Sequence, residues 1–132
     1  MESSILLGKT KICHNSSPYI IAEIGVNHEG NLDQAKKLID LAKEGGANAA
    51  KFQTYKANTI ASKNSPSYWD TSKESTKSQY ELFLKYDSFG EKEYYLLHEH
   101  CKNNEIDFIS TPFDHFSVDF LDEILPFYKI SS

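Results

Sequence analysis

The sequence predicts an α/β fold built on a parallel sheet. Two observations carry this. Short apolar runs alternate with amphipathic stretches in the order strand, helix, strand, helix, strand, helix, strand. Glycine, proline or a capping residue marks most of the junctions between them. Strands that alternate with helices form right-handed βαβ units, so the strands run parallel. An open doubly wound sheet and a closed barrel both satisfy this order.

The elements follow in turn. Ile5 to Ile12 reads as a hairpin turning at Gly8-Lys9, where glycine accepts the positive φ of a tight turn. After Pro18, Tyr19-Ile20-Ile21-Ala22 is a short β-branched run suited to a buried strand. Asn31 to Lys43 is the clearest helix. Asn31 caps it with Gln34 three residues on, Leu32, Ala35, Leu38, Ile39 and Ala42 share one stripe, and Gly45-Gly46 stops it. Asn48 to Phe52 is the second strand. Residues 53 to 77 are polar and aperiodic, as a functional loop would be. A short helix is expected over Lys77 to Lys85, and a second opens at a Ser88/Glu91 capping box and runs to Cys101. Asp107 to Ser110 is the third strand. Asp114 caps a helix with Val118, Leu121 and Leu125 facing inward, and Phe127 to Ile130 is the fourth strand.

Composition narrows the function. The chain has 132 residues, the size of one domain, and a formal charge of −5 without a basic stripe, which excludes nucleic acid and anionic membranes as natural partners. No apolar run is long enough to span a bilayer, and the first residues lack a signal-peptide pattern. Cys13 and Cys101 are far apart and sit in no metal or redox spacing, so a reduced, cytoplasmic protein is expected.

Polar residues recur at the strand ends. Glu23 follows the first strand. Lys51 and Gln53 close the second and point to the same side. Ser110 and Thr111 follow the third, and Lys129 lies in the fourth with Ser131 and Ser132 behind it. Parallel strands deliver their carboxyl ends to one face, where α/β proteins place their sites. A single lysine at a strand end is ordinarily solvated or ion-paired. Two lysines, a carboxylate and hydroxyls at equivalent ends suit an anion carrying phosphate or carboxylate. Asn27 and His28, in the loop after the first strand, are further candidates; His28 reads equally as a ligand or proton carrier and as an ordinary loop histidine. His98, His100 and His115 read as surface residues, and Cys101 as core. No Walker loop or dinucleotide fingerprint is present.

Four segments carry a resemblance: Ile21 to Gly30 (IAEIGVNHEG), Gly46 to Thr54 (GANAAKFQT), Ser110 to Asp114 (STPFD) and Tyr128-Lys129-Ile130. In order and spacing they resemble the N-acetylneuraminate (sialic acid) synthase family, from about residue 18 to the end. The resemblance implies a (β/α)8 TIM barrel, with residues 1–17 as the hairpin and residues 18–132 as the barrel's amino-terminal half, its first four strands and their helices. It implies condensation of phosphoenolpyruvate with N-acetylmannosamine or a related amino sugar, in sialic acid or surface polysaccharide biosynthesis. A divalent metal, Mn2+ or Mg2+, would activate the sugar aldehyde.

Carried residue by residue, Lys51, Thr111, Lys129 and Ser132 resemble the phosphoenolpyruvate contacts, and Glu23 and Gln53 the sugar-side residues. Glu23, Lys51 and Lys129 are the expected catalytic residues; Gln53, Ser110, Thr111, Ser132, Asn27 and His28 are the expected substrate-binding ones. A barrel needs about 250 residues. The resemblance therefore places the metal-binding histidines, a further catalytic glutamate and a small antifreeze-like domain beyond residue 132, with a homodimer for the complete enzyme. On that reading the chain is a truncated, inactive portion. A legionaminic or pseudaminic acid synthase, and a non-catalytic remnant that binds phosphoenolpyruvate or assembles with another subunit, are the alternatives.

Overall fold

The computed structural model describes residues 3–131. The chain opens on an antiparallel hairpin, β1 (Ser4–Leu7) and β2 (Thr10–Cys13), in register Leu7 with Thr10, and Gly8 takes φ +59° in the turn. A three-stranded parallel sheet follows, ordered β3 (Ile21–Gly25), β4 (Ala49–Thr54), β5 (Asp107–Pro112). Helices α1 (Leu32–Glu44), α4 (Glu91–Asn103) and α5 (His115–Leu121) pack on it, while α2 (Ala57–Ile60) and α3 (Gln79–Tyr86) lie in the connection after β4. This is an α/β fold with a parallel sheet.

Side-chain alternation divides the sheet. Ala50, Phe52 and Phe108 face the helices and join Ile39, Leu97 and Leu121 in one core. Phe52 and Phe108 stack at 5.6 Å between ring centres. The cap at Asn31 forms, its side chain accepting from the Gln34 amide at 2.9 Å. Asp114 caps α5 by accepting from the Ser117 amide at 2.7 Å, and its other oxygen accepts from the Thr59 hydroxyl at 2.8 Å, tying α2 to the end of β5.

Several expectations are corrected. The first strand starts two residues later than the apolar run suggests, so Glu23 lies inside it; Ile20 instead accepts the Asn48 and Ala49 amides and donates to the Asn48 side chain. The stretch after Gln53 is not structureless: β4 continues through Thr54, and α2 begins at Ala57. The cap of α4 is Gly90, whose amide donates to Glu93 at 2.8 Å, not Ser88. Ser88 packs instead so closely on Gly30 that a Cβ there would lie 2.3 Å from its oxygen. Val118 is 39% exposed rather than inward-facing.

The fourth strand is absent among the described residues. Phe127 packs edge-on against Tyr19 at 5.7 Å, the Tyr128 hydroxyl donates back to Asp122 at 2.7 Å, and no backbone ladder joins these residues to β5 among the described residues. His98 and His100 are half-buried, not surface residues: His98 meets Phe108 edge-on, and His100 pairs with Asp40 of α1 at 2.7 Å. His115 is exposed, and Cys101 is buried, its thiol pKa pushed up to about 12 by desolvation. Both cysteines are free thiols.

Leu97 is fully buried in α4. Replacing it with alanine leaves a cavity between α4 and the sheet and is expected to cost about 3 kcal/mol. Urea unfolding checks this; a loss below about 1 kcal/mol would mean that the helix layer is loosely packed there.

Candidate active site

Aligned partners in a parallel ladder point to the same face, so register assigns the site. Glu23 pairs with Lys51 and Lys51 with Ile109; two pairs on, and so on the same face, Gln53 pairs with Thr111. Glu23, Lys51, Gln53 and Thr111 therefore share the face turned away from the core, near the carboxyl ends of the strands.

Lys51 is 8% exposed, and its ammonium nitrogen lies 2.5 Å from a Glu23 carboxylate oxygen. A buried ammonium without a counter-charge costs several kcal/mol, so the lysine needs this partner. The glutamate does not need the lysine equally: its side chain is 54% exposed against 10% for the lysine. A β-bulge between Glu23 and Gly25 makes room for it. Gly25 takes φ +57°, and a Cβ there would come within 3.5 Å of a Glu23 oxygen and 4.0 Å of the Gln53 amide nitrogen. Glu23 and Gln53 thus flank the same glycine. Thr111 is 3% exposed, and its hydroxyl has no hydrogen-bond partner among the described residues. A buried hydroxyl without a protein partner is uncommon and marks a candidate site position.

The other predicted residues fall elsewhere. Ser110 is in the alternate row with Phe52 and Phe108, fully buried, its hydroxyl 2.6 Å from that of Thr54. It is not brought to Lys51, because a shift of one residue along a strand changes the face. Asn27 donates from its side chain to Ile24 O at 2.9 Å and braces its own turn. Lys129 is exposed, and its ammonium donates to the neighbouring Ile130 carbonyl at 2.8 Å; no contact joins it to Lys51. Ser132 lies outside the described residues.

His28 is buried behind the site rather than displayed in it. Its ring stacks on Phe89 at 4.2 Å with a 9° tilt, and Nδ1 accepts from the Gly30 amide at 3.0 Å. The proton therefore sits on Nε2, which has no partner among the described residues. Desolvation lowers the imidazole pKa to about 4. Sequence reasoning missed this role because the aromatic that covers His28 lies some sixty positions along the chain.

Among the described residues, no three His, Cys, Asp or Glu side chains come together as a metal-ligand group. Glu23 is engaged by Lys51, and His28 by Gly30. The side chains present do not form the divalent-metal site that the resemblance implies, so no step below passes through a metal. A cavity of about 690 Å3 opens at the opposite, amino-terminal end of β5, beside Gly8, Asp107 and Pro126; it contains none of the predicted site residues.

Residues 38–132 match the NeuB family. The chain belongs to that family. It is 46% identical over 105 residues to the N,N'-diacetyllegionaminic acid synthase of Legionella pneumophila, covering 78% of this chain and 29% of that protein. It is 36% identical to human N-acetylneuraminate-9-phosphate synthase over 86% of this chain and 32% of the human protein. Its fold is similar to that of an N-acetylneuraminic acid synthetase from Leptospira borgpetersenii crystallised with citrate, with TM-score 0.75, 38% identity, and coverage of 94% of this chain and 39% of that one. The chain spans about a third of the length of the curated relatives it matches. Among the described residues, no helix is long and apolar enough to cross a membrane.

The His28 environment sets a pH dependence. Its folded pKa, about 4, lies below the ordinary 6.5, so between these values the unfolded chain binds a proton that the folded chain does not. Stability from this group is complete above pH 6.5 and falls as the pH drops toward 4. Across that range the urea midpoint of the wild type should fall relative to that of His28→Phe as the pH drops; parallel curves would show that the histidine is not held neutral.

Proposed function

We propose that this segment supplies the phosphoenolpyruvate-binding and acceptor-facing strand ends of a sialic-acid-type synthase. The reaction joins phosphoenolpyruvate to an amino-sugar aldehyde with water and releases phosphate. The observation that carries the reading is the buried Lys51 on the same face as the unpartnered Thr111 hydroxyl, a cation and a donor awaiting an anion. Membership of the NeuB family supports the class of reaction. The three strands are read as the opening of a (β/α)8 barrel, whose site lies at these carboxyl ends. Mn2+ or Mg2+, where it takes part, is assigned to side chains outside the described residues.

In the reaction, carbon 3 of phosphoenolpyruvate bonds to the aldehyde carbon, water adds at carbon 2, and the carbon–oxygen bond to phosphate breaks. Lys51 neutralises the incoming anion, and Thr111 donates to one of its oxygens. The exposures of the ion pair suggest a sequence of events. With no ligand, Glu23 balances the lysine. Once the anion takes over that charge, the exposed carboxylate is released to face the acceptor and to accept a proton from the attacking water. Gln53, flanking Gly25 with Glu23, is placed to hydrogen-bond an acceptor hydroxyl. Which sugar is taken stays within the class of N-acylated aldoses; the relatives' names include neuraminic, legionaminic and pseudaminic acid synthases.

Calorimetry with phosphoenolpyruvate tests the binding step. Lys51→Ala is expected to weaken affinity by at least tenfold, the scale of one lost charge-assisted hydrogen bond. Turnover is tested in a chimaera in which this segment replaces the matching part of the Legionella synthase. Phosphate release should appear with the parent's acceptor and vanish with Lys51→Ala. Phosphoenolpyruvate binding or turnover that ignores Lys51 would sink the assignment.

A further inference from the structure

Gln53 stands on a strand end that lacks half of its support. The last pair between β3 and β4 joins Gly25 to Phe52, so beyond Phe52 the central strand has a strand neighbour on the β5 side only. Tyr94 contributes a hydrogen bond there. It is 6% exposed, sits on the first turn of α4, and its hydroxyl donates to the Gln53 carbonyl at 2.9 Å. Its ring is fixed independently, against Phe89 and Phe120, each at 5.9 Å. Desolvation raises the phenol pKa far above its ordinary value, so the group remains a proton donor throughout the working pH range.

We infer that Tyr94 is a positioning residue for the acceptor side of the site. From the core it sets the backbone of Gln53, and so the side-chain amide that flanks Gly25 beside Glu23 on the far face of the sheet. This rests on the reading of Gln53 as an acceptor-facing residue. A phenol buried among aromatics would normally be read as packing alone. Packing explains the ring; the hydroxyl, beside the Thr54 side chain, donates to the backbone carbonyl of a candidate site residue. Removing the hydroxyl leaves the ring contacts and frees that carbonyl, so the strand tip gains freedom without the core losing volume.

Tyr94→Phe is the test, read by NMR on the chain itself. The wild type should show a nuclear Overhauser contact between the Gln53 side-chain amide and the Gly25 α protons, and a slowly exchanging Tyr94 hydroxyl proton. In Tyr94→Phe the Gln53–Gly25 contact should weaken while core methyl shifts stay in place. With phosphoenolpyruvate present, affinity for N-acetylmannosamine should fall roughly three- to tenfold, and affinity for phosphoenolpyruvate should not change. In a Gln53→Ala background, Tyr94→Phe should have no further effect on the sugar. An undiminished Gln53–Gly25 contact, an additive double variant, or a wild-type hydroxyl proton that exchanges at once would each overturn the inference. These outcomes are independent of Lys51, so a failure here is separable from a failure of the phosphoenolpyruvate assignment.

Discussion

The arrangement depends on one charge compensation across the sheet. Lys51 sits on the central strand, between a β3 that is short and bulged and a β5 that is almost wholly buried. Its backbone neighbours, Ala50 and Phe52, are fully buried and point to the opposite, helix-covered face. The register then decides its partner: Glu23 is directly across on β3, and Ile109 directly across on β5. One side offers a carboxylate and the other only hydrocarbon. The lysine is neutralised from one flank, by a group that remains in water. Exchange of that carboxylate for another anion then costs little desolvation.

The remainder of the fold holds this row still from behind. The core lies wholly on the helix side of the sheet, where Phe52, Phe108, Leu97 and Ile39 exclude water. The loops that carry the strand ends are fastened to that layer by polar contacts as well as by packing, His28 on Phe89 and Tyr55 on Phe83. Asp114 reaches both the α5 amide and Thr59, Asp87 accepts from Lys56 and the Ala57 amide, and His28 holds Gly30. Each polar fastening uses an acceptor side chain to satisfy backbone or cationic donors at an element terminus. The site face carries few such internal partners, which is why its hydroxyl and amide remain available.

Much of this was legible because its signals are local. The Asn31 and Asp114 caps, the hairpin turn at Gly8 and the stripe of α1 are written within a few residues, and the structure forms all of them. Lys51, Gln53 and Thr111 are read from the sequence as strand-end residues, and alternation puts them on one face of the sheet. Ser110 was misplaced by treating the strand end as a point, when adjacent residues there face opposite ways. Lys129 depended on a fourth strand, and the residues assigned to it pack back on Tyr19 and Asp122 instead. His28 and Tyr94 were invisible as partners, since Phe89 and the Gln53 carbonyl reach them only through tertiary folding.

The two faces of β4 also bear on why relatives named for different sugars resemble this segment at all. In the proposed reaction this segment meets two substrates, phosphoenolpyruvate and an acceptor sugar. A segment whose buried cation and orphan hydroxyl serve the anion is constrained in register. Moving either group by one residue would turn it into the core, where an unpaired ammonium is prohibitive. Acceptor choice is not bound in the same way, because sugar hydroxyls can be met by exposed side chains on loops that tolerate change. The half-exposed Glu23 and the incompletely supported Gln53 stand at the boundary between these regimes. Their backbones belong to the rigid sheet and their tips to solvent, so the anion and the acceptor meet on one face of the same strands.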